Sequence, residues 1–514
     1  MTRHSDVLVV GAGPTGLALA LWLVRLGIKV RIIDKAPEPG ATSRALVVHA
    51  RTLEYYRQLG IADDVLARGV KFTAANIWVR GRQVGRIPFG DIGVGISAFP
   101  YMLIFPQDEH ERLLIAHLEA LGVTVDRRAE MVQLEQAGDG ITAVIRRPGQ
   151  ADEQCYANYL TGCDGAHSRV RELLGIGFPG GTYEHLFYVA DLASHGPAVN
   201  GEFHIAFDDA DFLGVFPMKG DARARLIGSI RDEAVGRRNG GGLTWDDVGH
   251  HVIERMRLGV ERVNWFSTYH VHHRVAAHFQ RGRAFLLGDA AHVHSPVGGQ
   301  GMNTGIGDAS NLAWKLAAAV RDGRAARMLD SYEPERIAFA RRLVATTDRA
   351  FTIVTRRGGI ARYVRVYLAP HVVPKLLAPP AARRYAFRTL SQTAIEYRES
   401  PLSTGAAGHV RAGDRLPWVQ LGTPSRDNYE SLSRLDWQVH VYGTPASDLR
   451  GECETRRLTL CELPWAPALE RSGLARDAIY LVRPDGHVAF AGGTADTPRL
   501  RSYLDAWSIA PLAP

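Results

Sequence analysis

Short apolar runs, each followed by glycines, set the frame of this chain. Residues 6–10 read DVLVV, an unbroken, β-branched run of the length expected for a strand buried on both faces. The turn GAGPTG follows at 11–16, then apolar positions at helical spacing from Leu17 to Leu26, a stop at Gly27, and a second strand, KVRIID, at 29–34. This order predicts a βαβ unit. Two later segments repeat its strand-turn-helix half. One is YLTGCDGAHSRVRELLG at 159–175; the other is GDAAHVHSPVGGQGMNTGIGDASNLAWKL at 288–316, entered from the apolar run AFLLGD at 284–289.

Between these two segments, residues 201–231 alternate apolar and polar positions like antiparallel strands, with turns at DDAD and KGDA. His204, Phe212, Phe216 and Arg225 are the candidates there to face a ligand, with sheet packing as the competing reading for each. The stretch from Arg341 to Arg388 carries eleven Lys or Arg and a single acid, Asp348. It reads as a solvated or interdomain helical face, broken into a linker by Pro370, Pro374, Pro379 and Pro380, with a membrane-surface helix as the alternative. From about residue 400 the pattern resets. WQVHVYG at 437–443 predicts a strand, and AIYLVRPDGHVAFAG at 478–492 a hairpin turning at Asp485–Gly486.

Length and composition narrow the classes. A chain of 514 residues exceeds what one core supports, so two or three domains are expected. MTRHSDVLVVGAG enters its first strand with no signal-peptide pattern, and LALALWLV at 17–24 is too short for a membrane span. The four cysteines (155, 163, 453, 461) form no CxxC pair, which fits a reducing cytoplasm. The net charge of +7 suits anionic ligands such as dinucleotides but comes with no nucleic-acid recognition motif, so no nucleic acid and no membrane span are expected.

The first turn carries the most specific chemistry. Gly11 makes the turn, Gly13 lets backbone approach a pyrophosphate, and Gly16 lets helix pack on strand, while Pro14 and Thr15 open a helix whose N-terminus favours anions. Asp34, with Lys35 beside it, ends the second strand where a carboxylate accepts from ribose hydroxyls; it disfavours a 2′-phosphate, so the adenosine diphosphate of FAD or NAD fits. The histidine clusters at His292 and His294, and at His270, His272 and His273, invite a metal reading. No carboxylate or cysteine completes a site, and they read as turn and core residues. GxSxG is absent, which disfavours a serine hydrolase.

Taken in order, GAGPTG, CDGAHSRVR and GDAAHVHSPVGGQGMN resemble the single-component, class A flavoprotein aromatic hydroxylases over about residues 5 to 345. The p-hydroxybenzoate and phenol hydroxylases typify them; the length, the DASNLAWKL helix and the C-terminal extension are most similar to hydroxylases of phenols and aromatic polyketides. The resemblance implies that Asp289 bonds the flavin ribityl chain, that Pro296 lies near the isoalloxazine, and that backbone from Gly299 through Gly301 and Met302 to Asn303 meets its pyrimidine edge. It further places Asp164 and Arg169 at the pyrophosphates, Gln107 beside the ribityl-phosphate region and Met131 against adenine. Arg44 lies between adenine and ring and is the candidate gate for flavin movement. YLVRPDGHVAF resembles a thioredoxin-like domain which, without CxxC, would be structural or a subunit contact in a possible homodimer.

The implied fold is α/β: a Rossmann-like FAD-binding domain of the glutathione-reductase type, discontinuous over 1–75, 100–178 and 275–345, with an antiparallel substrate sheet from 76–99 and 179–274. A helical linker, 346–398, and a thioredoxin-like domain, 399–514, complete it. The implied activity is monooxygenation of a small aromatic substrate. NADPH or NADH, bound transiently, reduces the flavin; O2 adds at C4a, and the hydroperoxide transfers its distal oxygen to an electron-rich carbon. An FAD reductase or oxidase on the same scaffold, or a ligand-sequestering protein stabilised by FAD, remain alternatives, as does a Baeyer–Villiger outcome.

Overall fold

The computed structural model describes residues 3–40, 45–90, 92–208, 212–220, 222–230, 243–355, 363, 367–422 and 426–512. The apolar run at 6–10 forms the strand Arg3–Val10, and its position explains the rest of the first sheet. It lies parallel to Val30–Asp34 on one side and to Glu153–Gly162 on the other, and Glu153–Gly162 is in turn parallel to Ala284–Leu286. Val10 is in register with Gly162, and Gly162 with Leu286. Three glycine-rich segments that are far apart in sequence therefore leave the carboxyl ends of three adjacent parallel strands. That edge is where open α/β sheets bind ligands.

Both faces of this sheet are covered. Helix Pro14–Arg25 begins with Pro14 in its first turn, where the fixed φ suits a helix and no N–H is lost. It packs against helix Gly301–Arg321, in which residues 303–319 are all buried. The small residues of that segment allow the close approach, and its buried Asp308, Asn311 and Lys315 need partners inside the protein.

The second sheet is antiparallel in most of its pairings and has eight strands. Its order is His292–Val293, Gly259–Val275, Gly180–His195, Arg223–Ile230, Phe212–Pro217, Phe203–Phe207, Ala74–Val79 and Arg82–Pro88. The alternation at 201–231 thus corresponds to three of these strands, with KGDA between the last two; DDAD falls partly on residues outside those described. Register assigns the faces. Phe212, Gly214 and Phe216 share a face with Ile205, Arg225, Asp191 and Phe187, whereas Leu213, Val215, Leu226 and Tyr188 pack on the other side under the short helix His251–Arg255. The terminal strand, His292–Val293, belongs to the third glycine-rich segment, so that segment joins the two sheets.

The C-terminal region forms a thioredoxin-like six-stranded sheet with helices Ser447–Arg456 and Thr497–Trp507. The hairpin at 478–492 consists of strands Ile479–Val482 and Val488–Gly492. All four cysteines are free. This region docks through buried charge. Glu335 accepts from Arg483 (2.8 and 3.0 Å), Lys315 (2.8 Å), Asn311 (2.6 Å) and Ser400 (2.6 Å). A second knot joins Arg415 and Arg51 to Glu54, and Arg51 also donates to the Asp485 carbonyl at 2.6 Å. Isolated ions at such depth cost several kcal/mol each, so every member depends on its partners. Among the described residues, no helix is long and apolar enough to cross a membrane.

Candidate active site

The three glycine-rich segments interlock through residues that tolerate no side chain. Gly11 has φ +105°, and a methyl group on it would lie 2.3 Å from the Cys163 carbonyl oxygen, so first and second segments touch backbone to backbone. Thr15 fills a notch in the third segment: a methyl on Gly288 or Gly305 would come within 2.6 or 2.2 Å of its Oγ1. Arg171 ties the second segment to the third, donating to the carbonyls of Ala290 and Ala166 at 2.8 Å. Gly13 is the contrast. A methyl there would meet nothing within 4 Å, so the start of helix Pro14–Arg25 opens on free space with its first-turn N–H groups directed outward.

Asp34 frames that opening. Its carboxylate accepts from Ala12 N at 2.7 Å and Ala36 N at 2.8 Å, with Arg127 3.8 Å away, which holds the loop while leaving lone pairs for a further donor. Lys35 is exposed. Met131 is buried on the strand Glu130–Ala137, opposite Ile145. Arg44 lies outside the described residues.

Asp164 and Gln107 act differently from a direct ligand. Asp164 accepts from Ser168 Oγ (2.5 Å) and Val170 N (3.1 Å), so its oxygens brace the turn it sits in, and burial raises its pKa. Gln107 accepts from Ala45 N (3.1 Å) and donates to Glu111 (2.9 Å). It pins the chain immediately after Arg44. Arg169 is half-exposed and paired with Glu172 at 3.1 Å.

The third segment has an unbroken internal logic. Between Ala284 and Val293 every residue is buried except Asp289. Asp308 creates this arrangement: it accepts from Gly288 N at 3.0 Å and from His292 at 2.8 Å, and Arg336 holds its other oxygen at 2.6 Å. Burial alone would raise the pKa of Asp308, but the Arg336 charge outweighs it and keeps the group ionised. Downstream, Asn303 donates to the carbonyls of Val47 and Gly299 (both 2.8 Å) and accepts from His49 N (2.8 Å) and Thr52 Oγ1 (2.7 Å). Its side chain therefore fastens the loop. Pro296 is exposed, and Gln300 makes no side-chain cap on helix Gly301–Arg321.

His49 donates through Nε2 to the Gly298 carbonyl at 2.8 Å, and His294 through Nδ1 to the Ser295 carbonyl at 2.8 Å. Burial lowers both pKa values to about 4, so both rings are neutral. The remaining nitrogens, His49 Nδ1 and His294 Nε2, are buried without a hydrogen-bond partner among the described residues.

The aromatic face of the second sheet meets the third segment at Val297. Phe212, Tyr183, Tyr269 and Val297 pack on buried Phe187 and Val271, which brings the sheet against the residue after Pro296. Phe216 lies on the same face, 4.5 Å from Phe203 between ring centroids. Arg225 shares that face but is fully buried and bidentate to Asp191 at 2.5 and 2.7 Å. His204 corrects the sequence reading. It pairs with Val215, which puts it on the opposite face; Trp78 Nε1 donates to its Nδ1 (2.9 Å) and its Nε2 donates to Asn200 (2.8 Å). It is a core residue, held neutral by burial with its pKa near 4.

A cradle at a bare glycine, a carboxylate at the neighbouring strand end and an exposed aspartate in a buried loop fit the two ends of an extended dinucleotide, an FAD. The architecture and this lining define an FAD-dependent oxidoreductase. The model of the FAD binding domain family matches residues 4–347, and the chain belongs to that family. The 6-methylpretetramide 4-monooxygenase of Streptomyces rimosus is 33% identical across 98% of this chain and 94% of its own length. The structure of an anhydrotetracycline hydroxylase from Streptomyces rimosus is 28% identical, covers 98% of this chain and 99% of its own, and superposes with a TM-score of 0.78. A rebeccamycin biosynthetic enzyme solved with reduced flavin is 27% identical over 96% of each chain, with a TM-score of 0.74. The protein is thus an FAD-dependent monooxygenase.

Sequence reasoning missed Arg171, Asp308 and Arg336. Asp308 lies in a mostly apolar helix, where a charged residue signals a buried pair, whereas Arg171 lies in the charged helix Arg169–Leu173 and nothing local marks it or Arg336.

Proposed function

We propose that the protein hydroxylates a phenolic, polycyclic aromatic substrate of polyketide type, with NADH or NADPH as the transient reductant. The observation that carries this reading is the contact of the Phe187–Phe212–Tyr269 face with Val297, because it sets a flat aromatic wall against the loop that would hold the flavin ring. The relatives named as a 6-methylpretetramide monooxygenase and an anhydrotetracycline hydroxylase support the substrate class. When bound, FAD supplies the reducing equivalents and the oxygen-activating chemistry.

The chain's own residues supply the surroundings. Asp34 and the first turn take the adenosine diphosphate end, and Asp289 takes the ribityl chain. The Gly299–Asn303 backbone at the start of helix Gly301–Arg321 stabilises negative charge on the ring through the helix dipole. The aromatic face excludes water and stacks the substrate. Arg44 is assigned as the gate for ring movement, and Met131 as a backbone contact to adenine. Residues 76–99 and 179–274 are assigned as the substrate unit, and the four free cysteines fit a reducing cytoplasm.

The test uses the purified holoprotein with NADH and NADPH under air, against a panel of simple phenols and linear polycyclic phenols. Coupled reductant consumption and a product heavier by one oxygen are expected. Fast reductant oxidation with no oxygenated product from any member would favour the reductase reading.

A further inference from the structure

Among the described residues, eight large hydrophobic side chains are exposed, and seven of them fall in two short stretches that meet in the fold. Six belong to the basic stretch: Tyr363, Tyr367, Leu368, Val373, Leu376 and Tyr385, of which Leu376 is 65% and Tyr385 74% exposed. The seventh is Val94. Helix Ala369–Leu376 packs against Arg82–Pro88, the edge strand of the second sheet, and the Arg80 guanidinium lies 5.4 Å from the Tyr367 ring centre. Past the end of that strand, a methyl on Gly93 would come 2.3 Å from the Phe387 ring, so Val94 stands beside helix Pro380–Leu390.

Both helices have already buried an inner face. Helix Pro380–Leu390 turns Phe387 inward with Ala386 and Leu390 half-buried beside it, and its outer face carries Arg384, Tyr385 and Arg388, which are three and four residues apart. On helix Ala369–Leu376, Val372 is half-buried while Val373 and Leu376 share the outer face, with Lys375 exposed between them. Charge then decides what covers this surface. Arg80, Arg82 and Arg86 are exposed along the strand side, and Arg383 adds a half-buried fourth cation to the three on the helices. The described residues of 80–94 and 363–390 include no acid; Asp91 lies outside them, and Glu202 reaches Arg86 from across the sheet. A second copy would set this cationic face against itself.

We propose that helices Ala369–Leu376 and Pro380–Leu390, with Tyr363, Tyr367 and Val94, seat the protein on an anionic lipid bilayer surface. Such a surface takes both features at once: aliphatic and tyrosine side chains enter the headgroup boundary, while Lys and Arg meet the lipid phosphates. The helices lie in the interface, and among the described residues none is long and apolar enough to cross it. Helix Pro380–Leu390 ends at the third glycine-rich segment, where the Leu390 carbonyl accepts from Gln300 Nε2 at 2.8 Å. Seated in this way, the protein holds its cofactor loop next to the element that touches lipid. The seat is independent of what the site oxidises.

The experiment sediments the full-length holoprotein with vesicles of phosphatidylcholine alone and of equal parts phosphatidylcholine and phosphatidylglycerol. Wild type is compared with the double variants Leu376→Ser/Tyr385→Ser and Arg384→Glu/Arg388→Glu, and with Leu121→Ser, which alters the one exposed hydrophobic side chain outside this face. All the altered side chains are exposed, so flavin content and melting temperature should match wild type throughout. Wild type should bind the mixed vesicles about tenfold or more above the neutral ones, since each basic residue near an anionic surface contributes roughly fivefold. Raising salt from about 0.1 M to about 1 M, which shortens the Debye length from ~10 to ~3 Å, should remove most of that difference. Each double variant should lower binding to the mixed vesicles about tenfold or more, and Leu121→Ser should bind like wild type. A wild type that does not bind the mixed vesicles overturns the proposal; self-association abolished by Leu376→Ser/Tyr385→Ser would then give the face to a second copy. Vesicle binding retained by both double variants overturns this face as the seat, and equal binding to both vesicle types at either salt overturns the anionic surface as its occupant.

Discussion

Glu335→Gln is the sharpest test of how the C-terminal region is held. The side chain keeps its shape and part of its hydrogen bonding but loses the charge that Lys315 and Arg483 share, and all three side chains are fully buried. Arg483 keeps Asp485 at 2.5 Å; Lys315 keeps no carboxylate, only neutral acceptors such as the side-chain amide oxygen of Asn311 at 2.8 Å. Breaking one partner of a buried ion pair costs about 3–5 kcal/mol. At roughly 2–4 °C per kcal/mol for a large domain, that is on the order of 10 °C in melting temperature.

The pH dependence identifies the cause. Burial would raise the Glu335 pKa, but Arg483 and Lys315 lower it from 4.5 to about 2. A depressed carboxylate contributes stability that is present above pH 4.5 and lost as pH falls toward 2. Burial lowers the Lys315 pKa from 10.5 to about 8. The folded state thus binds fewer protons between these values, and stability rises with pH across that window. In Glu335→Gln, Lys315 loses its carboxylate and titrates lower still, so the gap between variant and wild type should narrow from pH 7 to pH 9. The assay is thermal unfolding at both pH values with saturating FAD, because ligand binding alone shifts the transition. A gap below about 1 kcal/mol at pH 7, or one that does not change with pH, would refute the reasoning.

Other outcomes follow from the site. Asp289→Ala should purify with little flavin, read as the ratio of visible to ultraviolet absorbance, while its circular dichroism stays native; full flavin content would remove Asp289 from the ribityl site. Gly13→Ala places its methyl in open space, so the fold should hold while FAD affinity drops at least tenfold, about 1.4 kcal/mol, by fluorescence titration. His204→Leu leaves the Trp78 and Asn200 groups unpaired and should cost about 1–3 kcal/mol in stability, with KM for the aromatic substrate unchanged. Phe212→Ala should do the reverse, raising KM several-fold with flavin content intact.

How far the sequence reached depended on whether the information was local. GAGPTG, GDAAHVHSPVGGQG and the hairpin at Asp485–Gly486 were legible because strand length, turn chemistry and helix spacing are properties of neighbouring residues. The convergence of the three segments on one sheet edge was legible only through their order, since parallel strand adjacency leaves no local mark. His204 shows the limit of alternation. A period of two separates the faces of a strand but does not say which face meets the ligand, and one position of register decides it. The buried charges were less accessible still. Glu335 and Arg336 open a helix that continues into the basic stretch and look like solvated surface; their partners Arg483, Asp308 and Tyr397 lie far away in sequence. Asp164 and Gln107 are read from the sequence as cofactor contacts, whereas in the fold their side chains hold backbone, a role no local pattern announces.

A monooxygenase is defined by where the oxygen goes. The holoprotein should be run with NADH or NADPH, a phenolic substrate from the panel and isotopically labelled O2, and the product examined by mass spectrometry. One labelled oxygen atom in the aromatic product, with one reductant consumed per product, is the predicted result. Complete reductant consumption with the label found only in hydrogen peroxide or water, across the whole panel, would contradict the assignment as a monooxygenase.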